Sequence, residues 1–208
     1  MEAADLRFDG HTHVLPALPE PLTVVSLTLP RTQLDGGRER DEFGVVWQDG
    51  VPVSHPLADP AAWTGFVPPA PREDFIRERM EALRNAPGLR VCRVELPLLS
   101  RAEALAGPDT LRRAMAEDPA AAHALLKAVC EGTLAVMEAA LQYDFDLMAL
   151  AEDWDLDDIA WAAFVRPYLA RLYAMVKAYG HPAAQLGAKM TYLSGLEALG
   201  LDVLVPGD

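Results

Sequence analysis

The sequence is poor in the features that mark metal clips, redox proteins and several common catalytic folds. Its 208 residues include two cysteines, Cys92 and Cys130, and these do not form a CxxC pair. A zinc ribbon or a redox CxxC motif is therefore excluded, and we expect two buried free thiols, one in a strand and one on the apolar side of a helix. Serine nucleophile elbows, phosphate-binding glycine loops and Walker patterns are also missing.

Positive charge is scarce as well. The chain has 18 Lys and Arg against 31 Asp and Glu, a formal net charge of −13. Such a surface repels phosphate backbones, so no nucleic-acid partner is expected. No apolar run approaches the roughly 20 residues that cross a bilayer. The first residues, MEAADLRFDG, are acidic and polar, unlike a secretory signal. We therefore expect a cytoplasmic protein without a membrane partner.

Residues 1–75 hold most of the prolines and lack helical periodicity. Asp49-Gly50 separates two short β-rich runs, and both residues tolerate the positive φ of a type I′ turn, which predicts a hairpin. We interpret this region as an N-terminal β-hairpin subdomain and residues 76–208 as a second region. The predicted elements of the first region are a strand at 23–29, an exposed loop at 31–42, and the hairpin at 43–48 and 51–54.

The second region alternates between strand-like and helix-like segments. Asp118-Pro119 is typical of a helix start, because Asp caps the helix and Pro occupies its first turn. This alternation predicts an α/β fold with a parallel sheet and right-handed crossovers. The predicted strands are 89–99, 145–151, 183–188 and 202–205, and the predicted helices are 75–86, the one from 118, one that Pro167 divides and Gly180 ends, and 192–199.

Several of these segments together resemble the uroporphyrinogen decarboxylase superfamily. They are the Asp118-Pro119 helix start, FDLMALAEDWD, FVRPYLARLYAMVKAYGHP and LEALGLDVLVPGD. The segment DEFGVVW…HPLADPAAW…PPAP is similar to a hairpin of the branch that contains cobalamin- and coenzyme-M-dependent methyltransferases. The resemblance covers residues 41–208 and implies a TIM-type (βα) barrel. Because the family barrel has eight strands and about four βα units follow Leu89, we expect a shortened barrel, either partial or assembled with a partner.

The resemblance implies three alternative functions. The first is a methyltransferase-type protein of one-carbon or corrinoid metabolism. The second is a decarboxylase of a tetrapyrrole or another polycarboxylate. The third is a non-catalytic binding remnant of the family. A small-molecule substrate is expected for the first two.

The chain departs from the family pattern at two places. The methyltransferases bind zinc through a His-x-Cys-type motif after the strand that here ends in residues 185–189, and this segment, QLGAK, has neither residue. The zinc site is therefore expected to be absent, the cofactor is unknown, and a corrinoid is the one that the resemblance suggests. The arginine-rich substrate loop of the decarboxylase is unmatched. A sheet that stops at 202–205 would expose an edge, so we expect a homo-oligomer that completes it.

An acidic segment, residues 152–155, follows a predicted strand at the end that faces the active site in parallel α/β folds. We predict that Glu152 and Asp153 are catalytic carboxylates that hold a metal, bind a cationic group or exchange protons. The alternative is that these acidic residues stabilise the next helix, with Asp157 or Asp158 as its cap. Trp154 is a candidate substrate-binding residue that could equally close the barrel mouth.

Four other residues are substrate-binding candidates. Glu95 lies in an apolar strand, where a charge requires a partner or a function, and Arg93 on the same face is the simpler explanation. His55 follows the hairpin and reaches a ligand or forms part of a turn. Lys189 is the basic residue at the expected active-site end. Tyr192 offers a hydroxyl or packs in a helix.

Two histidines near the N-terminus form a His-x-His pattern like that of amidohydrolases. Those enzymes need further histidines at strand ends, whereas His123 falls on a predicted helix and His181 follows a helix-terminal glycine. We therefore expect His11 and His13 to belong to a solvated segment, and no resident metal ion is expected.

Overall fold

The computed structural model describes residues 11–27 and 30–207, which form two sheets and a layer of helices. The strands in this part of the chain are β1 (His13–Val14), β2 (Leu22–Ser26), β3 (Arg31–Gln33), β4 (Arg38–Asp41), β5 (Val46–Gln48), β6 (Val51–Ser54), β7 (Leu89–Glu95), β8 (Leu147–Ala151), β9 (Ala183–Leu186) and β10 (Val203–Val205). The α-helices are α1 (Glu73–Arg84), α2 (Leu99–Ala106), α3 (Pro108–Glu117), α4 (Pro119–Ala140), α5 (Asp158–Ala160), α6 (Arg166–Ala178) and α7 (Leu193–Glu197). A π-helical turn, Trp161–Val165, joins α5 to α6.

The larger sheet is the centre of the fold. Its strands lie in the order β1-β10-β9-β8-β7-β2, and every neighbouring pair is parallel. The α/β prediction is thus confirmed. Within residues 11–27 and 30–207, β1 and β2 are the two edges and do not pair with each other, so the strands form a partial barrel.

The central strands of this sheet, β7 to β10, are largely buried on both faces, as is usual for parallel strands. Side chains alternate along each strand, so that Cys92 and Val94 face the helices while Val91 faces the other side. The second face forms a smaller apolar cluster that Leu15 and Leu18, from the segment between β1 and β2, pack against. Its other members are Leu89, Leu147, Ala149, Ala184 and Val203.

Helix α4 is the longest helix of the layer that covers the sheet. It begins as predicted, because the Asp118 carboxylate accepts a hydrogen bond from the Ala121 amide at 3.2 Å. By length and composition alone, α4 could also span a membrane, which the search for apolar runs did not foresee. However, Leu125, Leu126 and Met137 are fully buried in the main core, as in the central helix of a globular domain.

The smaller sheet is an antiparallel meander, β3-β4-β5-β6. The predicted hairpin is present as β5 and β6, with φ of 51° at Asp49 and 80° at Gly50. The exposed loop predicted at 31–42 is wrong, because β3 and β4 occupy it. Their polar side chains read as a loop, but an antiparallel sheet tolerates a solvated face, and Arg31 and Glu39 form an ion pair across the two strands at 3.2 Å.

The N-terminal segment contributes more to the main sheet than expected. The predicted strand at 23–29 appears as β2, which pairs with β7, and its last two predicted residues, 28 and 29, lie outside the described part of the chain. β1 pairs with β10, so the expectation that residues 202–205 form an exposed edge is wrong. The division of the chain at residue 75 stays a prediction. The predicted strand at 89–99 ends early, because Leu96 turns the chain with a φ of 51° and α2 then begins at Leu99.

Candidate functional site

The carboxyl ends of the parallel strands form one rim of the partial barrel. The segments that follow β7, β8 and β9 are Leu96–Leu98, the acidic turn Glu152–Asp155, and Gly187–Lys189. They approach closely, since the Leu98 amide donates to the Glu152 carboxylate at 3.3 Å and a Cβ on Gly187 would lie 3.7 Å from the Glu152 carbonyl oxygen. A side chain on Gly207 would place its Cβ 2.3 Å from the Gly187 carbonyl oxygen. Residues of this rim line two cavities, one beside α3 and one beside α2.

Glu152 of the acidic turn is 4% exposed, and its carboxylate is already used. It accepts hydrogen bonds from the backbone amides of Leu98 at 3.3 Å and Ser100 at 2.6 Å, and from Trp154 Nε1 at 2.8 Å. The carboxylate thus satisfies amides at the amino end of α2 that a helix leaves without partners. Burial raises the pKa of Glu152 to about 7, against the lowering effect of these hydrogen bonds.

Trp154 and Tyr192, both substrate-binding candidates, are buried beside Glu152. Trp154 is 0% exposed and meets the Tyr192 ring edge-on at 5.6 Å, while Trp161 stacks on Tyr192 at 5.1 Å. The Tyr192 hydroxyl lies 2.6 Å from the carbonyl oxygen of Leu156 and donates to it. This cluster holds the acidic turn in place, and its side chains are not open to a substrate.

The exposed part of the turn is electrostatically paired. Asp153 is exposed, and its carboxylate accepts a hydrogen bond from the Trp154 amide at 2.7 Å. Lys189 Nζ lies 3.0 Å from the Asp155 carboxylate. The Asp157 carboxylate accepts from the Ala160 amide at 2.7 Å and caps α5, as the alternative interpretation proposed. Asp153 and Lys189 are therefore the two predicted residues of this region that a ligand can still reach.

One rim cavity lies between α3 and this turn, and we call it the turn cavity. Its volume is about 310 Å³. Arg112 contributes its positive charge, with its guanidinium 4.0 Å from the Asp155 carboxylate. The other lining residues are Met115, Ala116, Leu156, Asp157, Ala160 and Phe164.

The second and larger rim cavity lies between the meander and α2, and we call it the meander cavity. Its volume is about 440 Å³, within the range of small-molecule sites. The meander supplies Trp47, Gly50, Val51, Pro52 and the following His55, and the other side supplies Leu96, Ser100, Glu103, Ala104 and Pro108.

His55 is the predicted substrate-binding residue that lines this cavity. Its Nδ1 lies 2.8 Å from the Ala104 carbonyl oxygen, near the carboxyl end of α2. Because a carbonyl only accepts, Nδ1 carries a proton, and in the neutral ring Nε2 is the acceptor. The next contact along the chain, from the Leu57 amide to the Leu105 carbonyl at 2.9 Å, satisfies another end group of the helix. His55 therefore satisfies a carbonyl group in the last turn of α2 and leaves its Nε2 atom as a further acceptor.

Glu103 is a cavity residue that the sequence reasoning missed. Its side chain is 26% exposed, and Arg112 Nε lies 3.9 Å from its carboxylate. Burial raises its pKa, and the nearby Asp155 adds to that effect while Arg112 opposes it. No sequence signal distinguished Glu103 from an ordinary helix-surface acid, because the loop that brings the meander over it is distant in the chain.

A buried polar network attaches the meander to α2. The Asp41 carboxylate accepts from the Val45 amide and from Trp47 Nε1, each at 3.0 Å, and pairs with Arg101 at 2.6 Å. Arg101 also lies over the Phe43 ring at 4.7 Å. The Asp-Glu-Phe-Gly segment and its following tryptophan carried this signal, although neither Asp41 nor Arg101 was among the predicted site residues.

Glu95 is paired with Arg93, as the simpler of its two explanations predicted. Its carboxylate forms an ion pair with Arg93 and accepts a hydrogen bond from the Ser26 hydroxyl at 3.2 Å. Arg93 Nε in turn donates to the Ser26 oxygen at 3.1 Å. The three side chains join β7 to β2, and a substrate-binding role for Glu95 stays a prediction.

The donor groups at this rim do not fit a thiolate-activating zinc ion. The amide of Gln185 is buried, where it donates to the Glu152 carbonyl at 2.9 Å and accepts from the Tyr173 hydroxyl at 2.6 Å. Across residues 11–27 and 30–207, no three or more His, Cys, Asp or Glu side chains cluster in a way that could hold a metal ion. His123 contacts Tyr168, and His181 stacks on Phe145.

Comparison with known proteins agrees with this architecture. The family model for uroporphyrinogen decarboxylase (URO-D) matches residues 100–206, just over half of the chain. The chain belongs to the URO-D family. The matched residues include nearly all of α2, the acidic turn and the strands β8 to β10, whereas β7 and the meander lie outside them.

A solved structure of a methyltransferase from Methanosarcina mazei is similar to this chain, with a TM-score of 0.62 and 17% sequence identity. The similarity covers 74% of this chain and 48% of the methyltransferase chain, so this chain spans about half the length of that protein. At this identity the likeness establishes the fold. No match was found among curated proteins.

Proposed function

We propose that this URO-D family member is of the methyltransferase type, acts in one-carbon or corrinoid metabolism, and binds a small-molecule substrate at the carboxyl-end rim. One observation carries the choice between methyltransferase and decarboxylase. Among the residues of 11–27 and 30–207 that line the meander cavity, none is Lys or Arg. A polycarboxylate requires paired cations when it leaves water, and this cavity offers it an acid instead.

The cations elsewhere at the rim face acidic partners. Lys189 Nζ lies 3.0 Å from the Asp155 carboxylate, and the Arg112 guanidinium is shared between Asp155 at 4.0 Å and Glu103 at 3.9 Å. Arg101 is buried with Asp41 at 2.6 Å. A substrate with several carboxylates would have to break these pairs, which argues against the decarboxylase alternative.

We assign different roles to the two predicted catalytic carboxylates. Asp153 is proposed as the acid–base group, because it is exposed at the rim beside Lys189. Glu152 is proposed as a positioning residue, because all of its hydrogen bonds serve the acidic turn and the start of α2. A corrinoid remains the proposed methyl carrier, and no residue is assigned to it.

The test is anaerobic incubation of the full chain with methylcobalamin and a panel of small thiols and amines. The acceptor loses its S–H or N–H proton to the solvent and takes the methyl group, and the Co–C bond breaks with its electron pair left on cobalt, so the visible spectrum changes from methylcobalamin to cob(I)alamin. We expect acceleration with one acceptor class, reduced by Asp153→Asn and unaffected by the exposed control Asp109→Asn. Release of CO₂ from uroporphyrinogen under the same conditions would favour the decarboxylase instead.

A non-catalytic binding protein is the second candidate. It is favoured by the end of β9, where Gln185 and Lys189 stand in place of thiolate or imidazole donors. Saturable ligand binding at the rim without methyl transfer or decarboxylation would support this candidate.

Self-association is proposed through β2 rather than β10. Among the described strands β2 has one neighbour, β7, and Val24 at its centre is 40% exposed. An open strand edge favours pairing with a second copy. Light scattering should give a dimer mass that Val24→Lys reduces to the monomer, and a monomer at all concentrations would contradict the proposal.

A further inference from the structure

The polar side chains that line the meander cavity supply acceptor atoms. Its polar side chains include a carboxylate, Glu103, and an imidazole, His55, set among largely apolar walls. Ser100 also lines it, but its hydroxyl and amide face the Glu152 carboxylate. Among the described residues, the cavity therefore presents acceptors and no cation.

The Glu103 carboxylate has only a distant charge partner. Arg112 Nε is 3.9 Å away, at the outer limit of an ion pair, and the same guanidinium lies 4.0 Å from Asp155. Arg112 lines the turn cavity and not the meander cavity. In the part of the chain that the structure describes, the carboxylate makes no side-chain hydrogen bond on its cavity side. A half-buried carboxylate in that position favours an incoming positive charge.

His55 supplies a directional acceptor next to this charge. Its Nδ1 proton is held by the Ala104 carbonyl, and Ala104 adjoins Glu103 in α2. No hydrogen-bond partner of His55 Nε2 occurs within residues 11–27 and 30–207. With the Nδ1 proton directed at the Ala104 carbonyl, Nε2 is the ring atom that can accept from an N–H donor, which an ammonium group provides and a carboxylate ligand does not.

The remaining wall suits a hydrocarbon group. Trp47, Pro52 and Leu96 line it, together with Val51, which is 60% exposed at the hairpin turn. Trp47 cannot rotate freely, because Asp41 holds its Nε1 and the Arg31 guanidinium lies 4.2 Å over its ring. The apolar wall is thus fixed relative to the polar pair.

We propose that the meander cavity binds a protonated organic amine, with its ammonium group between Glu103 and His55 and its hydrocarbon part against Trp47, Val51 and Leu96. This names the substrate class of the proposed methyltransferase-type site and rests on that proposed function. The net charge of −13 also favours the approach of cationic ligands.

The first test compares three ligands of matched shape by isothermal titration calorimetry with the full chain. The probes are benzylammonium, the neutral benzyl alcohol and the anionic benzoate. We expect saturable binding of benzylammonium, binding of the alcohol weaker by about tenfold, and no binding of benzoate, since a hydrogen bond to a charged group is worth about one decade in affinity. Equal binding of the amine and the alcohol, or preference for benzoate, would overturn the proposal.

The second test removes the charge. Glu103→Gln should weaken benzylammonium about tenfold and leave benzyl alcohol unchanged. Glu117→Gln is the matched control, because Glu117 ends α3 with an exposed side chain outside the cavity lining. Should Glu103→Gln fail to fold, Val51→Trp fills the cavity from the exposed turn and should abolish binding of both ligands. Unchanged amine binding in either folded variant contradicts the assignment.

Direct binding separates this inference from the proposed function. If amines bind through Glu103 but no methyl transfer is detected with any acceptor, the proposed reaction fails and the amine site stands. If methyl transfer proceeds with thiols while benzylammonium does not bind, the amine site fails and the reaction stands.

Discussion

The acidic turn and the meander cavity lie at the same rim, yet they use their polar groups differently. In the turn, the Glu152 carboxylate accepts three hydrogen bonds and Trp154 is fully buried. In the meander cavity, Glu103 has one cation at 3.9 Å, and among the described residues His55 Nε2 has no partner. The polar groups of the turn hold the rim together, whereas those of the cavity include acceptor atoms without a close partner among the described residues.

Residues that stand out in the sequence are therefore not the same as residues whose polar atoms lack a close partner in the structure. A run of acids and tryptophan after a strand attracts a catalytic interpretation, but its buried members have no remaining capacity to bind. Glu103 carries no such sequence signal, yet it lines a cavity of about 440 Å³. The proposed amine site therefore rests on incomplete pairing at a concave surface and not on the density of acidic residues.

The largest effect on stability is expected in the buried Asp41–Arg101 network, which attaches the meander to α2. Asp41→Ala removes the charge partner of the buried Arg101. It also removes the acceptor of the Phe43 and Val45 backbone amides. We expect a loss of about 3–5 kcal/mol in the free energy of unfolding, because an uncompensated charge remains buried. Urea denaturation measures this loss. The neighbouring Glu42→Gln, which breaks an exposed ion pair with Arg72, is the control and should change stability little.

A pH titration tests whether the buried turn is structural. The folded pKa of Glu152 is about 7, above the ordinary value of 4.5, so the folded protein binds this proton more tightly than the unfolded chain. The associated stability is full below about pH 4.5 and is lost as pH rises through 7, by about 3 kcal/mol in total.

In Glu152→Gln the side chain cannot ionise, so this decline between pH 5 and 7 should flatten while the other titrations remain. Urea midpoints of both proteins across that range give the comparison. Parallel pH profiles for the two proteins would show that Glu152 does not titrate there.

A smaller effect on stability is expected from the Tyr192 hydroxyl, which stabilises the acidic turn. Tyr192→Phe removes the hydrogen bond to the Leu156 carbonyl at 2.6 Å and keeps the aromatic packing on Trp154 and Trp161. We expect a loss of about 1 kcal/mol, typical of one buried hydrogen bond. Thermal unfolding compares it with Tyr179→Phe, whose exposed hydroxyl contacts Gln142 and should matter less. Equal losses in both variants would argue that Tyr192 does not hold the turn.

The smallest effect on stability is expected at Asp153, which is exposed. Asp153→Asn should leave the urea midpoint unchanged, and benzylammonium affinity in the meander cavity should also stay the same. The same variant is expected to lower methyl transfer under the proposed function. A large loss of stability would instead place Asp153 with Glu152 in the structural part of the turn.

The sequence predicted the parallel sheet, the helix start at Asp118 and the hairpin at Asp49-Gly50, because each depends on local pattern. It failed at 31–42, where polar side chains hide two strands that face solvent. It also missed that β1 pairs with β10, since a two-residue strand carries no periodicity. Elements defined by pairing across the chain are not visible in local composition.

The candidate site divides in the same way. The position of Glu152 and Asp153 at the carboxyl end of a strand followed from the order of elements. Whether each carboxylate is open or occupied did not, because the donors to Glu152 come from Leu98 and Ser100, more than 50 positions away. His55 was a candidate only as a residue beside a turn, and Glu103 depends on the docking of the meander over α2.

The most direct test of the account follows the four tryptophan indole N–H signals by ¹⁵N–¹H NMR during titration with benzylammonium. Trp47 lines the meander cavity, Trp154 lies in the turn, and the other two indoles are internal references. An amine site in the meander cavity predicts a saturable shift of the Trp47 signal that is lost in Glu103→Gln, while the Trp154 signal does not move. A shift of Trp154 with Trp47 unchanged would place the ligand at the acidic turn and contradict it.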